Sequence, residues 1–261
     1  MQKIYASLPG STTSPSPLIE CYLPAAEKRN GVGLIIFPGG GYRMHAEHEG
    51  KGYADFFVEA GISCFVTSYR LGGDGTGING HRHPAMLEDA LAAIYTVRQR
   101  ASEWGINPNK IGVMGSSAGG HLTAHSLTAY SQYPSDLSLR ADFGILCYPV
   151  IAMNGAHCHT GSRGNLLGEA ATEAQASAVS PEQLVTAQTP PCFLWHTWED
   201  QAVPVENSLL FASALRANND LGVNFKITDG LSTRVSYLTD YNDARAIKTD
   251  NRLGVSLVVG F

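Results

Sequence analysis

The chain has 261 residues, 44% hydrophobic and 16% charged, which suits one large domain around a single buried core spanning residues 1–261. Its formal net charge of −5 gives no electrostatic reason to bind nucleic acid or an anionic membrane. No apolar run approaches the roughly 18 residues of a membrane span, and the opening MQKIYASLPGSTTSPSP lacks the hydrophobic centre of a signal peptide. A cytoplasmic location is the expectation on that ground, although a mature form whose leader had been cleaved would read the same.

The Ser/Pro stretch at 11–17 reads as a flexible lead-in. VGLIIF (32–37) and ISCFVTSY (62–69) are rich in β-branched and aromatic residues and have strand length. MLEDALAAIYTVRQRA (86–101) sets Leu87, Leu91, Ile94 and Val97 on one helical face. NPNK (107–110) is a turn into the strand IGVMG, and the chain is expected to be helical from Ala118. FGILCYPV (143–150) and CFLWHT (192–197) are further buried strands, a helix is expected over 204–217 with Pro204 in its first turn, and GVNFKIT (222–228) is the last core strand. Continuous apolar strands alternating with helices imply a parallel sheet covered on both faces, a doubly wound α/β fold. Five cysteines (Cys21, Cys64, Cys147, Cys158 and Cys192) are an odd number without framework spacing, and they are expected to be reduced and buried.

Chemistry enters at GVMGSSAGGHLTAHS (112–126), which holds Gly-x-Ser-x-Gly at Gly115, Ser117 and Gly119. Alone the pattern is weak. Between an apolar strand and a helix it has the form of an elbow that lifts a serine above the sheet beside a backbone N–H. Ser117 is therefore the candidate nucleophile. FPGGGY (37–42) follows the first apolar strand, and three successive glycines cost backbone entropy that needs a justification. Backbone N–H groups aimed at an oxyanion supply one, so Gly40, Gly41 and the N–H of Ala118 are the candidate oxyanion donors. No Gly-Lys-Ser/Thr or Gly-x-Gly-x-x-Gly supports a phosphate loop instead. An acidic pair at the end of a later strand, in WEDQAVPVENS, is where the order Ser, Asp, His puts its orienting carboxylate. Asp200 is the first candidate and Glu199 the second, with Glu206 expected on the following helix.

The segments PGGGY, SYRL, HPAMLEDALAAI, NPNKIGVMGSSAGGHL, HTGSRGNLLGE and TPPCFLWHTWEDQAVPVENSLLFASAL run in one order from about residue 20 to about residue 226. In them the chain resembles the α/β-hydrolase family of small carbohydrate esterases, the acetyl-xylan-esterase-like, xylanase-associated and lipase-like enzymes. The resemblance implies an α/β-hydrolase fold, Ser117 attacking an ester, Asp200 orienting a histidine, and Gly40 and Gly41 helping to hold the oxyanion. It implies a small-molecule ester with a short acyl group, acetyl foremost, on a sugar or related alcohol, and it implies no metal or organic cofactor.

One part is missing. The family places its histidine after the last strand in a Gly-x-His-Gly-like loop, whereas none of the nine histidines here lies beyond His196. Two registers of the tail stay open: DGLSTRVS (229–236) puts Ser232 or Thr233 in the ring's place, and RLGVSL (252–257) puts Leu253 there. His121, one helical turn past Ser117, is expected to pack under the elbow. His196 leads into the acid loop, and His45 and His48 follow the glycines at the mouth. His81-Arg-His83 and His157-Cys-His159 have metal-like spacing but fall in ordinary segments of the family pattern. So abrupt an end to the resemblance, near Lys226, is what a fused or frame-shifted gene product would show. The reading is a serine esterase scaffold with its base unassigned. A weakly active or non-catalytic ester or glycan binder, and a peptidase or acyltransferase on the same elbow, remain as alternatives.

Overall fold

The computed structural model describes residues 2–9, 15–73 and 77–218, together with the backbone of Asn224–Ile227. Among these residues eight strands, β1 (Gln2–Tyr5), β2 (Leu18–Tyr22), β3 (Gly33–Phe37), β4 (Ser63–Ser68), β5 (Ile111–Ser116), β6 (Phe143–Cys147), β7 (Cys192–His196) and β8 (Asn224–Ile227), form one sheet in the order β1-β2-β4-β3-β5-β6-β7-β8. From β4 to β8 every pairing is parallel, while β2 runs antiparallel to both β1 and β4. The doubly wound reading therefore holds for the parallel part and is extended by an antiparallel edge. That edge is not legible in the sequence because β1 and β2 are short and flank a Ser/Pro-rich connection, β1 burying only Ile4 and β2 alternating half-buried with buried residues instead of running continuously apolar. Residues 11–14 of the expected lead-in lie outside the described residues.

Among the described residues six α-helices accompany the sheet: α1 (Glu47–Glu59), α2 (Ala85–Gln99), α3 (Ser117–Ala129), α4 (Thr160–Leu167), α5 (Glu173–Ala178) and α6 (Glu206–Asn218). Successive strand residues point to opposite faces. Ile35 and Phe37 join Phe65, Ile111 and Val113 in the core under α2 and α3, while Leu34 and Ile36 join Cys64, Val66 and Met114 under Ala54 of α1. Helix α1 contacts β2, β3 and β4, so Phe143, Ile145 and Trp195 on the same face of β6 and β7 stay half-buried. Helix α6 starts at Glu206; Pro204 lies just before it and its carbonyl accepts the Asn207 N–H at 3.0 Å.

Two polar anchors tie segments distant in the sequence to one another. Arg70, at the end of β4, donates to the buried Asp89 of α2, to Glu88 and to the Ala85 carbonyl, tying SYRL to HPAMLEDA. Asn207 accepts the N–H groups of Ile151 and Ala152 and donates to the carbonyls of His157 and Pro204, tying the β6 loop to α6. Cys21, Cys64 and Cys147 are buried, whereas Cys158 and Cys192 are half-buried. Burial pushes the Cys21 and Cys147 thiols up to about 11 and those of Cys64 and Cys192 up to about 12. Among the described residues no helix is long and apolar enough to cross a membrane.

Candidate active site

Strand β5 passes into helix α3 with no intervening loop, and Ser117, at the junction, has φ 52°. A side chain rarely occupies that region, and holding one there costs of order 1–3 kcal/mol, sustained by the surrounding structure. The turn closes tightly because its neighbours are glycine. A Cβ on Gly115 would lie 2.2 Å from the Gly119 carbonyl oxygen, and one on Gly119 would lie 2.0 Å from the Phe37 carbonyl oxygen. The Ser117 carbonyl accepts the Val150 N–H at 2.9 Å. Ser117 is half-buried, while its neighbour Ser116 is fully buried with its Oγ 2.9 Å from the Tyr53 hydroxyl. Ser117 is thus the serine presented to the outside. Ala118 sits in the first turn of α3, where backbone N–H groups lack an intrahelical acceptor and the helix dipole is positive.

Strand β3 neighbours β5, and its continuation brings the glycine loop to the same edge of the sheet. Gly40, Gly41 and Tyr42 have φ 118°, 65° and 60° in succession. All the carbonyls of the loop are engaged. That of Gly39 accepts from Ala46 N at 3.0 Å, that of Gly40 from Arg43 N at 3.0 Å and Met44 N at 3.2 Å, and that of Gly41 from Asn165 Nδ2 at 2.9 Å. The Gly39 N–H donates to Glu49 Oε2 at 2.7 Å. The N–H groups of Gly40, Gly41 and Tyr42 donate to nothing among the described residues, so successive backbone donors of this turn are left for an anion.

The acid loop follows β7, on the far side of β6 from the elbow. Asp200 Oδ1 accepts the N–H groups of Ala202 at 2.8 Å and Val203 at 2.9 Å, which closes the loop on its own backbone. His196, fully buried beneath it, pairs Nε2 with the Val203 carbonyl and Nδ1 with Ser208 Oγ, both at 2.8 Å; its Nε2 is 3.6 Å from Asp200 Oδ2. Burial holds its pKa below the ordinary value, so the neutral ring donates from Nε2 and accepts at Nδ1. It is a brace for the acid loop. Glu199 is exposed, and Glu206 opens α6 with an oxygen 3.9 Å from His157 Nδ1.

All nine histidines lie among the described residues, and none of them hydrogen-bonds to Ser117. His121 packs as expected, between the Tyr42 hydroxyl at 2.6 Å and the Val179 carbonyl at 2.8 Å, and burial pushes its pKa down to about 3. His125 stacks on His83 with centroids 5.3 Å apart and lies 5.5 Å from His121. His45 sets its ring against Tyr69 at 4.6 Å, with its pKa pushed down to about 4 by burial, and His48 is exposed. His159 caps α4 by accepting the Ser162 N–H, and His81 donates to the Gly77 carbonyl. Among the described residues no group of three or more histidine, cysteine or acidic side chains is placed to hold a metal ion.

Residues 72–81 are tethered where they are described. His81 N donates to the Leu71 carbonyl at 2.9 Å, Gly72 N donates to the Tyr42 carbonyl at 2.8 Å, and a Cβ on Gly72 would lie 1.8 Å from the Asn165 carbonyl oxygen. Three site neighbours were not anticipated from the sequence: Glu49, Tyr53 and Tyr148. Their spacing carries no motif, and Tyr148 sits within an apolar run that reads as strand, whereas β6 stops at Cys147 and Tyr148 turns to φ 36°. The alternatives Ser232, Thr233 and Leu253 lie outside the described residues.

A family model described as BD-FAE matches residues 19–215. The chain belongs to the BD-FAE family. This bears out the resemblance carried by the motifs, and the match ends before β8. A second model, described as "Protein of unknown function, DUF481", matches residues 200–261. The chain is 42% identical over 190 residues to Endo-1,4-beta-xylanase B of Butyrivibrio fibrisolvens, covering 70% of this chain and 29% of that protein. It is 36% identical over 202 residues to Acetylxylan esterase of Xylanibacter ruminicola, covering 75% of this chain and 39% of that one. The chain thus spans well under half the length of these curated relatives. Among solved structures, the acetyl ester-xyloside bifunctional hydrolase from Caldicellulosiruptor lactoaceticus superposes with a TM-score of 0.71 at 39% identity, over 84% of this chain and 78% of that one. Esterase 2 of Thermogutta terrifontis superposes with a TM-score of 0.68 at 26% identity, over 86% and 82% of the two chains. The fold of this BD-FAE member is the α/β-hydrolase fold.

Proposed function

We propose that the chain is a serine carboxylic-ester hydrolase acting on short-chain, foremost acetyl, esters of carbohydrates or related alcohols. One observation carries the proposal: Ser117, at φ 52° on the strand–helix elbow, shares the carboxyl edge of the sheet with the free N–H groups of Gly40 and Gly41. Ser117 Oγ attacks the ester carbonyl carbon, and the N–H groups of Gly40, Gly41 and Ala118 hold the negative oxygen of the tetrahedral intermediate. The alcohol leaves, and water releases the acyl group from Ser117. Asp200 is the carboxylate that would orient a base. The sugar-ester substrate class is supported by the relatives named Acetylxylan esterase and acetyl ester-xyloside bifunctional hydrolase.

The base has no candidate among the nine histidines, and the DUF481 match occupies the stretch in which it is expected. This favours a second reading, a weakly active ester binder on the same fold. The two readings part on one experiment. Ser117 should react with an organophosphonate, and Ser117→Ala should abolish both the labelling and the turnover of a chromogenic acetate ester. Equal labelling of the variant would remove Ser117 from the mechanism. Labelling with ester turnover near the uncatalysed rate would select the second reading.

A further inference from the structure

Helix α1 carries a carboxylate that the mechanism above does not use. Glu49 lies in its first turn, where the helix dipole favours negative charge, and the residue is buried. Both of its oxygens are engaged. Oε2 accepts the Gly39 N–H at 2.7 Å and Oε1 accepts the Tyr148 hydroxyl at 2.9 Å. The Tyr148 hydroxyl lies 3.4 Å from that of Tyr53, which in turn meets Ser116 Oγ at 2.9 Å. The exposed His48 ring approaches Oε1 to 3.8 Å from the solvent side.

Gly39 is wedged between this carboxylate and the nucleophile elbow. A Cβ there would come 2.3 Å from Glu49 Oε2, 2.6 Å from the Ser116 carbonyl oxygen and 3.1 Å from Ser117 Cβ. Gly39 is also gripped on its other side, through its carbonyl, by Ala46 N. A buried carboxylate costs free energy unless its oxygens are satisfied, and an apolar residue would cost less on the buried side of α1. The grip on Gly39 is what an apolar residue could not supply.

We infer that Glu49 is a positioning residue: it fixes the peptide plane of Gly39, and so aims the following N–H groups of Gly40 and Gly41 at the oxyanion formed on Ser117's substrate. The inference rests on reading Ser117 as the nucleophile and deepens it. Glu49 acts through the glycine loop and touches no reacting atom. An N–H that swings away from the oxyanion is lost to the transition state while ground-state binding is little changed, so the effect belongs in kcat.

The test compares the unmodified chain with Glu49→Ala and Glu49→Gln. Glutamine keeps a carbonyl oxygen for the Gly39 N–H, and alanine does not. Three quantities are read: hydrogen exchange of the Gly39 amide, the rate of Ser117 labelling by a chromogenic organophosphonate, and kcat and KM for a chromogenic acetate ester. A thermal melt reports folding, and Glu49→Leu replaces the alanine variant if that one does not fold. In the alanine or leucine variant the Gly39 amide is expected to exchange at least about tenfold faster, while labelling and kcat fall about 10- to 100-fold and KM stays within about twofold. Glutamine is expected to recover all of these to within a few-fold. Unchanged Gly39 exchange, unchanged labelling and kcat, a rise in KM alone, or a glutamine variant as slow as alanine would each overturn the inference. If the unmodified chain takes no label and turns over no ester, the hydrolase reading fails by itself, and Gly39 exchange still decides whether Glu49 anchors the loop.

Discussion

Gly119 and Phe37 meet backbone to backbone: a methyl group on Gly119 would sit 2.0 Å from the Phe37 carbonyl oxygen. The first turn of α3 therefore lies directly against the end of β3. Gly119→Ala must push the two apart, and overpacking of this kind costs about 1–3 kcal/mol. The variant is expected to melt several degrees lower and to lose most Ser117 labelling, because the glycine loop leaves from the displaced end of β3. Thermal melting and organophosphonate labelling check both. A variant that melts and labels like the parent would mean the elbow has slack that the geometry denies.

The buried imidazoles predict a pH dependence of stability. Burial lowers the pKa of His45 to about 4 and of His121 to about 3, and it pushes His125 well below its ordinary value. All three are neutral when folded, whereas in the unfolded chain they take up protons as pH falls through about 6.5. The unfolded state then binds more protons, so stability is full above that pH and declines below it, by up to about 1.4 kcal/mol per pH unit for each ring. Denaturant midpoints should be level from about pH 8 to 7 and should fall between about pH 6.5 and 5, where exposed carboxylates are still ionised. A midpoint that holds level down to pH 5 would show that these rings titrate normally.

Restoring the base tests the reading of the tail. Replacing the residues after Ile227 with a family-like Gly-x-His-Gly segment should raise ester turnover by orders of magnitude, as expected when a triad member returns. Asp200→Asn adds discrimination, because asparagine keeps a carbonyl oxygen for the Ala202 and Val203 N–H groups. The substitution should change turnover by the present chain by less than about threefold, since His196 beside Asp200 makes no hydrogen bond to Ser117, and should cost the restored chain about 10³-fold or more. Fast turnover by the present chain that survives mutation of each histidine would mean that another group activates Ser117.

Acyl length is the fourth expectation. The described part of 72–81 is a glycine-rich turn pinned to Tyr42 and Asn165, with no long amphipathic segment to close over a lipid chain. A site of that kind buries little of a long chain, and each buried CH₂ is worth only about 0.8 kcal/mol. Acetyl and propionyl esters should therefore be turned over in preference to acyl chains of about eight carbons. A kcat/KM series over chromogenic esters reads the trend, and a steady rise with chain length would contradict it.

The elements readable from the sequence were the continuous apolar runs and the one helix with an apolar face. β3, β4, β5 and α2 fell within a residue or two of their expected places, because Leu34–Phe37, Cys64–Val66, Ile111–Met114 and the Leu87/Leu91/Ile94 face are buried in the way their patterns require. The Gly-x-Ser-x-Gly and triple-glycine segments reached their turns because only glycine fits the contacts at Gly115, Gly119 and Gly40. α1 was missed. Its buried residues Glu49, Gly50 and Ala54 make no hydrophobic stripe, since what that side of the helix offers the site is a carboxylate. Tyr148 was hidden for a related reason: an aromatic residue in an apolar run reads as strand, and nothing local announces a residue that leaves the strand to hold a buried acid.

The sheet order has a consequence for how the molecule comes into being. The elbow's partners, β3 and β6, α1 and α2, and the backbone of Val150 and Val179, all precede β7 in the chain, while the acid loop and β8 join from one side afterwards. Chains emerge from synthesis N-terminus first, at about 5–20 residues per second. The centre that presents Ser117 can thus begin to assemble before the acid loop and β8 have emerged. A change of sequence beyond β7 therefore leaves the order in which the nucleophile's own surroundings come together untouched.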